Sequence, residues 1–369
     1  MDETKLKEIE KLFAYMANSK ASDLHIKYGH KPILRIATVI SEVGNKVLSA
    51  DEVKRLIYAI MTESQIAQLE KDGDIDFAHN VDGVGRFRIN VFKERSAVAV
   101  AVRRVNIVIP TCDELNLPSS VIKVSDMDRG LILVAGPTGS GKSTTIACIL
   151  DAINKNNKVH IITVEDPIEF MFQSKKAFIS QREIGIDVDS FGSALKHIVR
   201  QDPDVILIGE MRDCESLDAA LTAAETGHLV LGSIHSSSAA QTISRILDLF
   251  PAGRQPIVRQ SLSFNLRVVI CQKLVPACKE GISVVPAVEM MFVNPTIQKL
   301  IQNGEDNKIH DVIRGSAEEG MQDFNQSLIK LINEKLITKK EAMIGSPNPE
   351  QLKMNLQGIS LQEDRRIIG

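Results

Sequence analysis

Apolar residues change their spacing between about residues 107 and 130, and that change divides the chain. Before it, Leu6, Ile9, Leu12, Phe13 and Met16 recur at intervals of three and four, the period of a helix with one apolar face. Leu24-His25-Ile26 and Ile33–Val39 then read as short strands. Ser49-Ala50-Asp51-Glu52 opens a helical region that runs to about Leu69, with Ser49 as its cap. Two extended stretches follow, Gly85–Phe92 and Ala97–Val105, and the alternation of Ala and Val in the second predicts a strand. Residues 1–106 are therefore expected to form a small α+β domain. Pro110 and Pro118, set among polar residues, mark 107–119 as a linker or hinge.

From Gly130 onward, apolar runs of four to six residues alternate with helical segments: Leu131–Ala135, Val159–Val164, Val205–Ile208, Leu229–Gly232 and Val268–Leu274. Such continuous runs are expected where helices cover both faces of a largely parallel sheet. Residues 120–369 thus predict a second, α/β domain that turns mostly helical after Pro295. The segment 346–369, opened by Ser346-Pro347-Asn348-Pro349, reads as a mobile tail.

Composition narrows the partners. Hydrophobic residues are 44% and charged residues 25% of the 369, the balance of a soluble globular protein. Trp is absent, so the cores rest on Ile, Leu and Val. A net charge of −3 provides no field that would gather nucleic acid, which is not expected as a partner. No apolar run reaches the roughly 20 residues of a membrane span, and Met1-Asp2-Glu3-Thr4 is too acidic to open a signal peptide. Direct membrane insertion is not expected. Cys112, Cys148, Cys214, Cys271 and Cys278 lack metal-ligand spacing and are expected to be reduced thiols in the cytosol.

The chemistry lies where the second pattern begins. The strand Leu131–Ala135 runs into Gly136-Pro137-Thr138-Gly139-Ser140-Gly141-Lys142-Ser143-Thr144, a phosphate-binding loop between a strand and a helix. Its glycines let backbone N–H groups turn inward around phosphates, and the helix N-terminus adds partial positive charge. Lys142 is expected to bridge the β- and γ-phosphates and Ser143 to bind Mg²⁺. Val205–Ile208 ends in Gly209-Glu210, a carboxylate placed to reach the metal or its water. Ile161–Val164 ends in Glu165-Asp166-Pro167-Ile168-Glu169, and acids gathered at one sheet mouth need a cation to neutralise them. His235 follows the strand Leu229–Gly232 at its carboxyl end and is the candidate γ-phosphate sensor. His228 precedes that strand and reads as structural or as a subunit contact.

Together these segments resemble the secretion ATPase superfamily of type II secretion and type IV pilus motors. The resemblance runs through the Walker A loop (136–143), an acidic box (162–169), the Walker B strand (204–213) and a histidine box from Thr226-Gly227-His228 to His235. Ser22-Asp23-Leu24-His25-Ile26 and Gln272-Lys273-Leu274 also fit. Length and Gly209-Glu210-Met211-Arg212-Asp213 make it similar to the retraction (PilT) type. That resemblance implies a RecA-like α/β ATPase domain preceded by a small α+β, PAS-like domain, with ATP and Mg²⁺ at the site.

It further implies a cytoplasmic hexamer of identical subunits at the inner membrane, driving type IV pilus retraction and twitching motility. Its partners would be a pilus platform protein and a paralogous ATPase. Glu165 would be the general base and Glu210 the Walker B acid. Arg88, Arg103 and Arg200 would contact phosphates. Two departures matter. Lys196 stands where relatives often carry Arg, and Thr296–Asn303 has Gln298 and Gln302 where retraction motors carry arginines. Those glutamines leave two alternatives open, a secretion or pilus-assembly ATPase and an accessory ring subunit beside a separate motor.

Overall fold

The computed structural model describes residues 7–36 and 39–357. One unit comprises the chain up to Val108 with the short segment Glu169–Met171, and the other comprises Ile109–Ile168 with the chain from Phe172 onward. The linear division of the sequence did not anticipate that Glu169–Met171 would leave the second unit. Asn106 draws it away, donating to the Glu169 carbonyl and accepting from Met171 N–H.

In the N-terminal unit, α1 (Glu8–Asn18) buries Ile9, Phe13 and Met16, as its period requires. β1 (Asp23–Lys27), β2 (Ile33–Ile36) and β3 (Val39–Glu42) precede α2 (Ala50–Tyr58) and α3 (Glu63–Asp72), and β4 (Asp74–Val81), β5 (Gly85–Glu94) and β6 (Ala97–Arg104) complete the unit. Ser49 does cap α2, its side chain accepting from Glu52 N–H while Glu52 returns the bond. The sheet order is β3-β2-β1-β6-β5-β4, antiparallel throughout.

Two strand expectations need correction here. The single strand Ile33–Val39 is two strands, because Ile36 pairs antiparallel with Val39. β4 was not anticipated: its inward Ile75, Phe77 and Val81 are interleaved with Asp74, Asp76, His79 and Asn80, which mask the period of two.

The second unit contains β7 (Gly130–Ala135), α4 (Lys142–Asn156), β8 (His160–Glu165), β9 (Phe178–Glu183), α5 (Phe191–Ile198), β10 (Val205–Ile208), α6 (Cys214–Glu225) and β11 (Leu229–Ile234). There follow α7 (Ala239–Asp248), α8 (Gln255–Asn265), β12 (Leu266–Pro276), β13 (Val284–Phe292), α9 (Pro295–Asn303), α10 (Ile309–Gly315), α11 (Phe324–Asn333), α12 (Lys339–Gly345) and α13 (Pro349–Leu356). The strands order as β13-β12-β7-β11-β10-β8-β9, all parallel except β13. Burial on both faces explains the continuous apolar runs. Leu131 and Leu133 of β7 enter the core built with α6 and α7, while Ile132 and Val134 enter the one built with α4. β9 and β13 were not anticipated. β9 is a polar edge strand, and β13 carries Pro286, which only an edge tolerates.

The expected tail is partly a helix. Asn348 caps α13 through Gln351 N–H at 3.1 Å, Pro349 occupies its first turn, and Leu352 is fully buried. Residues 358–369 of that expectation lie outside the described residues. The cysteine expectation also fails, since Cys112 and Cys148 are joined in a disulfide with Cα atoms 6.0 Å apart. Leu117, Val121 and Val124 pack with Ile146 and Ile149 of α4 in one core, so the segment before β7 brings Cys112 to that helix. Sequence spacing alone carries no trace of this packing.

Leu352→Ala should lower the stability of the second unit by about 2–4 kcal/mol, the usual cost of emptying a buried leucine site. Urea unfolding followed by circular dichroism measures it. An unchanged midpoint would mean that α13 contributes nothing to the core.

Candidate active site

The loop between β7 and α4 turns on two glycines whose positions exclude a side chain. A Cβ on Gly136 would meet the Gln272 carbonyl and Ser140 Oγ at 2.5 Å, and Gly141, at φ 87°, precedes Lys142 at the start of α4. Lys142 is buried, and its Nζ donates to the carbonyls of Gly136 (3.0 Å) and Pro137 (3.1 Å). Thr138 and Gly139 are exposed at the loop tip, and Ser143 and Thr144 are half-buried in the first turn of α4. Ser140 Oγ is buried with no hydrogen-bond partner, an orphaned donor inside the loop.

Sequence reasoning placed Gln272 only within a fitting tripeptide and missed its role. Buried on β12, it donates through Nε2 to the Ser140 carbonyl (2.5 Å) and accepts through Oε1 from Thr145 Oγ1 (2.8 Å). One side chain thereby ties the loop to the first turn of α4. A buried glutamine in an otherwise apolar strand was the available signal.

The two principal acids arrive from neighbouring strands. β8 and β10 pair in parallel with Val164 opposite Ile208, so Glu165 and Gly209-Glu210 leave the sheet side by side. A Cβ on Gly209 would lie 3.2 Å from the Glu165 Cα, so only a small residue permits this approach. Glu165 is buried, its Oε1 accepting from Thr163 Oγ1 (2.6 Å) and Gln181 Nε2 (3.1 Å). The Glu210 turn is fastened to β11: Met211 N–H donates to the Ser233 carbonyl (2.9 Å), and Ser233 Oγ donates to the Gly209 carbonyl (2.6 Å).

Glu210 itself joins Arg212 Nη2 at 2.6 Å and His235 Nε2 at 2.9 Å. The Arg212 guanidinium, helped by His235 and Lys142, holds the Glu210 carboxyl below its usual range against the opposing effect of burial. β11 lies beside β7, and Gly136 N–H donates to the Ile234 carbonyl, so His235 starts next to the phosphate loop. Lys142, Glu210 and His235 therefore share one edge of the sheet with Glu165.

Two other expected residues, His228 and Arg200, lie away from this edge within the same unit. His228 lies at the opposite end of β11, its Nδ1 near the Ala223 carbonyl (2.9 Å) and Thr226 Oγ1 (3.1 Å). Arg200 sits exposed on the turn entering β10 from its amino end. Two residues on, the Asp202 carbonyl lies 3.0 Å from His160 Nδ1 at the start of β8. The structure thus does not bring Arg200 to the phosphate loop of its own chain, because the length of β10 separates them. Asp166 is exposed just beyond Glu165, and Glu169 is exposed in the segment that joins the other unit. Arg88 and Arg103 belong to that other unit, paired in register on β5 and β6, with Arg103 Nε on Asp23 Oδ1 at 2.8 Å. Lys196 pairs with Glu215 at 3.2 Å.

A parallel sheet covered by helices, a phosphate loop opening α4 and acids at the adjacent strand ends define a RecA-like P-loop ATPase domain. The family described as "Type II/IV secretion system protein" matches residues 2–317, and the chain belongs to that family. It is 41% identical to the type IV pilus retraction ATPase PilT of Pseudomonas aeruginosa, over 93% of this chain and 99% of that protein. It is 37% identical to the type IV pilus ATPase PilU of the same organism, over 95% and 91%. A crystal structure of the pilus retraction motor PilT with bound ADP superposes with a TM-score of 0.86 at 43% identity, covering 95% of this chain and 99% of that one.

Because the Glu210 pKa is depressed, the ionised, folded-state network is complete above the ordinary carboxylate range and is lost as pH falls through the lowered value. Arg212→Gln should therefore move the acid limb of the kcat/KM profile to higher pH. An unmoved limb would show that Arg212 does not set the state of Glu210.

Proposed function

We propose that the chain is the ATP-hydrolysing motor of type IV pilus retraction, acting as a homo-hexamer. Its placement of Glu165 and Glu210 at adjacent strand ends beside Lys142 is the observation that carries this reading. The similarity to PilT supports the biological role. ATP is the substrate. The loop fits its phosphates, since Ser140 Oγ is orphaned inside it, the α4 N-terminus opens onto it and Gly136 leaves no room for a side chain.

The residues present also fit Mg²⁺. Among the described residues no group of three or more His, Cys, Asp and Glu could hold a metal, and Mg²⁺ on a nucleotide commonly takes only one or two protein oxygens. Ser143 and Glu210 would supply these, and the bound ion would neutralise charge developing on the phosphates.

In the proposed mechanism Lys142 and the α4 N-terminus neutralise the phosphates. Glu165, oriented by Thr163 and Gln181, accepts the proton of the attacking water. His235 reads the γ-phosphate and relays its presence to Glu210 through their 2.9 Å contact. Arg88, Arg103 and Arg200 contact phosphate in the assembled ring, where charge on the transferring group is greatest. The ring works at the inner membrane through a pilus platform protein. No helix among the described residues is long and apolar enough to cross a membrane.

The accessory-subunit reading keeps a specific support, the 37% identity to PilU together with Gln298 and Gln302 on α9. Gln302 Nε2 donates to Ser263 Oγ of α8 at 3.2 Å, a bond within the unit rather than a free cation on its surface.

Purified chain should release phosphate from ATP, and Lys142→Ala or Glu210→Ala should abolish release. Glu165→Gln should lower kcat by about 100-fold or more while nucleotide still binds. Alanine at Arg88, Arg103 or Arg200 should likewise cut turnover more than binding. Full turnover in the Lys142 or Glu210 variant would overturn the site. In cells, deletion of the gene should leave excess pili that do not retract. Normal retraction without it would favour the accessory role.

A further inference from the structure

Another buried carboxyl, outside the catalytic edge, reaches the helix start just after the loop that carries His235. Glu289 on β13 is 3% exposed, and its Oε1 accepts from the N–H of Ala239 at 2.7 Å. Ala239 is the first residue of α7, and its N–H is one of the donors that a helix start leaves without an internal partner. Between the end of β11 and that N–H lie only His235, Ser236, Ser237 and Ser238.

The short loop is fixed at several points. Ser238 caps α7 by accepting from Gln241 N–H (3.3 Å), Ser236 Oγ meets Thr242 Oγ1 at 2.6 Å, and Thr242 Oγ1 donates to the Ser238 carbonyl (2.9 Å). Glu289 reaches this loop from another strand, β13, and Thr242 Oγ1 also lies 4.0 Å from Cys271 Sγ of β12. The Ser238 and Ser236 bonds are local to the loop and α7, so of these hydrogen bonds to the helix start only the one from Ala239 N–H reaches β13.

On its far side Glu289 Oε2 lies 3.9 Å from His310 Nδ1 of α10, an ion-pair distance rather than a hydrogen bond. Asp323, the cap of α11, lies 3.8 Å from His310 Nε2 and 3.4 Å from Arg314 Nε. A buried carboxyl tying a helix start to this cluster is costly unless its acceptors are used, and replacement by an apolar residue would be the cheaper choice for packing alone.

We propose that Glu289 is a positioning residue for catalysis: by holding the α7 N-terminus against β13, it sets His235 at hydrogen-bond distance from Glu210. This inference rests on the reading of the site as ATP-hydrolysing. The phosphate loop is held by β7, α4, Gln272 and the Ile234 carbonyl, whereas the Glu289 bond lies beyond His235, so Glu289 acts on turnover more than on nucleotide binding.

The test is a variant series in the full chain, read by kcat, by ADP affinity and by the His235 ring signal in NMR, assigned through its loss in His235→Ala. Glu289→Met keeps length but removes the acceptor. Its kcat should fall about tenfold, the equivalent of one hydrogen bond of roughly 1.4 kcal/mol, with ADP affinity within about twofold. Glu289→Gln keeps an acceptor for Ala239 N–H and should stay within about threefold of the parent. In a His235→Ala background the Met change should cost nothing further, since coupled residues are not additive.

Ala239→Pro removes the same hydrogen bond from the donor side. Ser238 is already extended and proline is accepted at a first helical position, so this variant decides the matter if the Met variant fails to fold. It should reproduce the loss in turnover. An unchanged kcat, or an equal fractional loss without His235, would overturn the proposal. If the parent chain shows no turnover, the ATPase reading fails by itself. The His235 signal still decides the positioning role, shifting in the Met variant if Glu289 acts as proposed and staying fixed if it does not.

Discussion

Burial of the seven-stranded sheet on both faces is the constraint on which the rest depends. Strands covered by helices on each side run parallel, and parallel strands send all their carboxyl ends to one edge. Glu165, Glu210, His235 and the loop before Lys142 follow four such strands, β8, β10, β11 and β7. They meet because the buried apolar strands Leu131–Val134, Ile161–Val164 and Val205–Ile208 pair in parallel, β7 and β10 each with β11 and β8 with β10, and set their carboxyl ends side by side. The polar chemistry then needs only short bonds for its final adjustment. Gln272 fastens the loop, Ser233 fastens the Glu210 turn, and Thr163 with Gln181 orients Glu165.

Electrostatics at that edge favours the ionised form of Glu210. Glu210 stands between Arg212 and His235 and within reach of the Lys142 charge, so its carboxyl is held below the usual range although it is partly buried. A Walker B acid kept ionised suits a site that handles a divalent cation and a phosphate chain. The buried contact of Glu289 with the α7 N-terminus lies one step behind this arrangement and links it to α10 and α11.

Much of this was legible in the sequence, for a physical reason. Buried parallel strands appear as unbroken apolar runs, and the loop, the acids and His235 sit at or just after the ends of four of the five, so these runs pointed to the edge at which the candidate site lies. What escaped notice was polar or non-local. β4 and β9 carry outward or edge polar residues that hide their period, and Pro286 disguised β13. The Cys112–Cys148 bond depends on the segment before β7 packing along α4, which no spacing rule conveys. Arg200, carried over from the family resemblance, stands at the amino end of β10, away from the phosphate loop of its own chain, so a contact with phosphate would have to come from a neighbouring subunit. Helix α13 was hidden by a proline-rich start that is in fact its cap and first turn.

The central claim is that this edge hydrolyses ATP with metal assistance, and phosphate release by the purified, unmodified chain tests it most directly. With ATP and Mg²⁺ the account predicts repeated turnover, and removal of Mg²⁺ by a chelator should stop it. An undiminished rate in the chelator, or no release under any condition while ADP still binds, would contradict it.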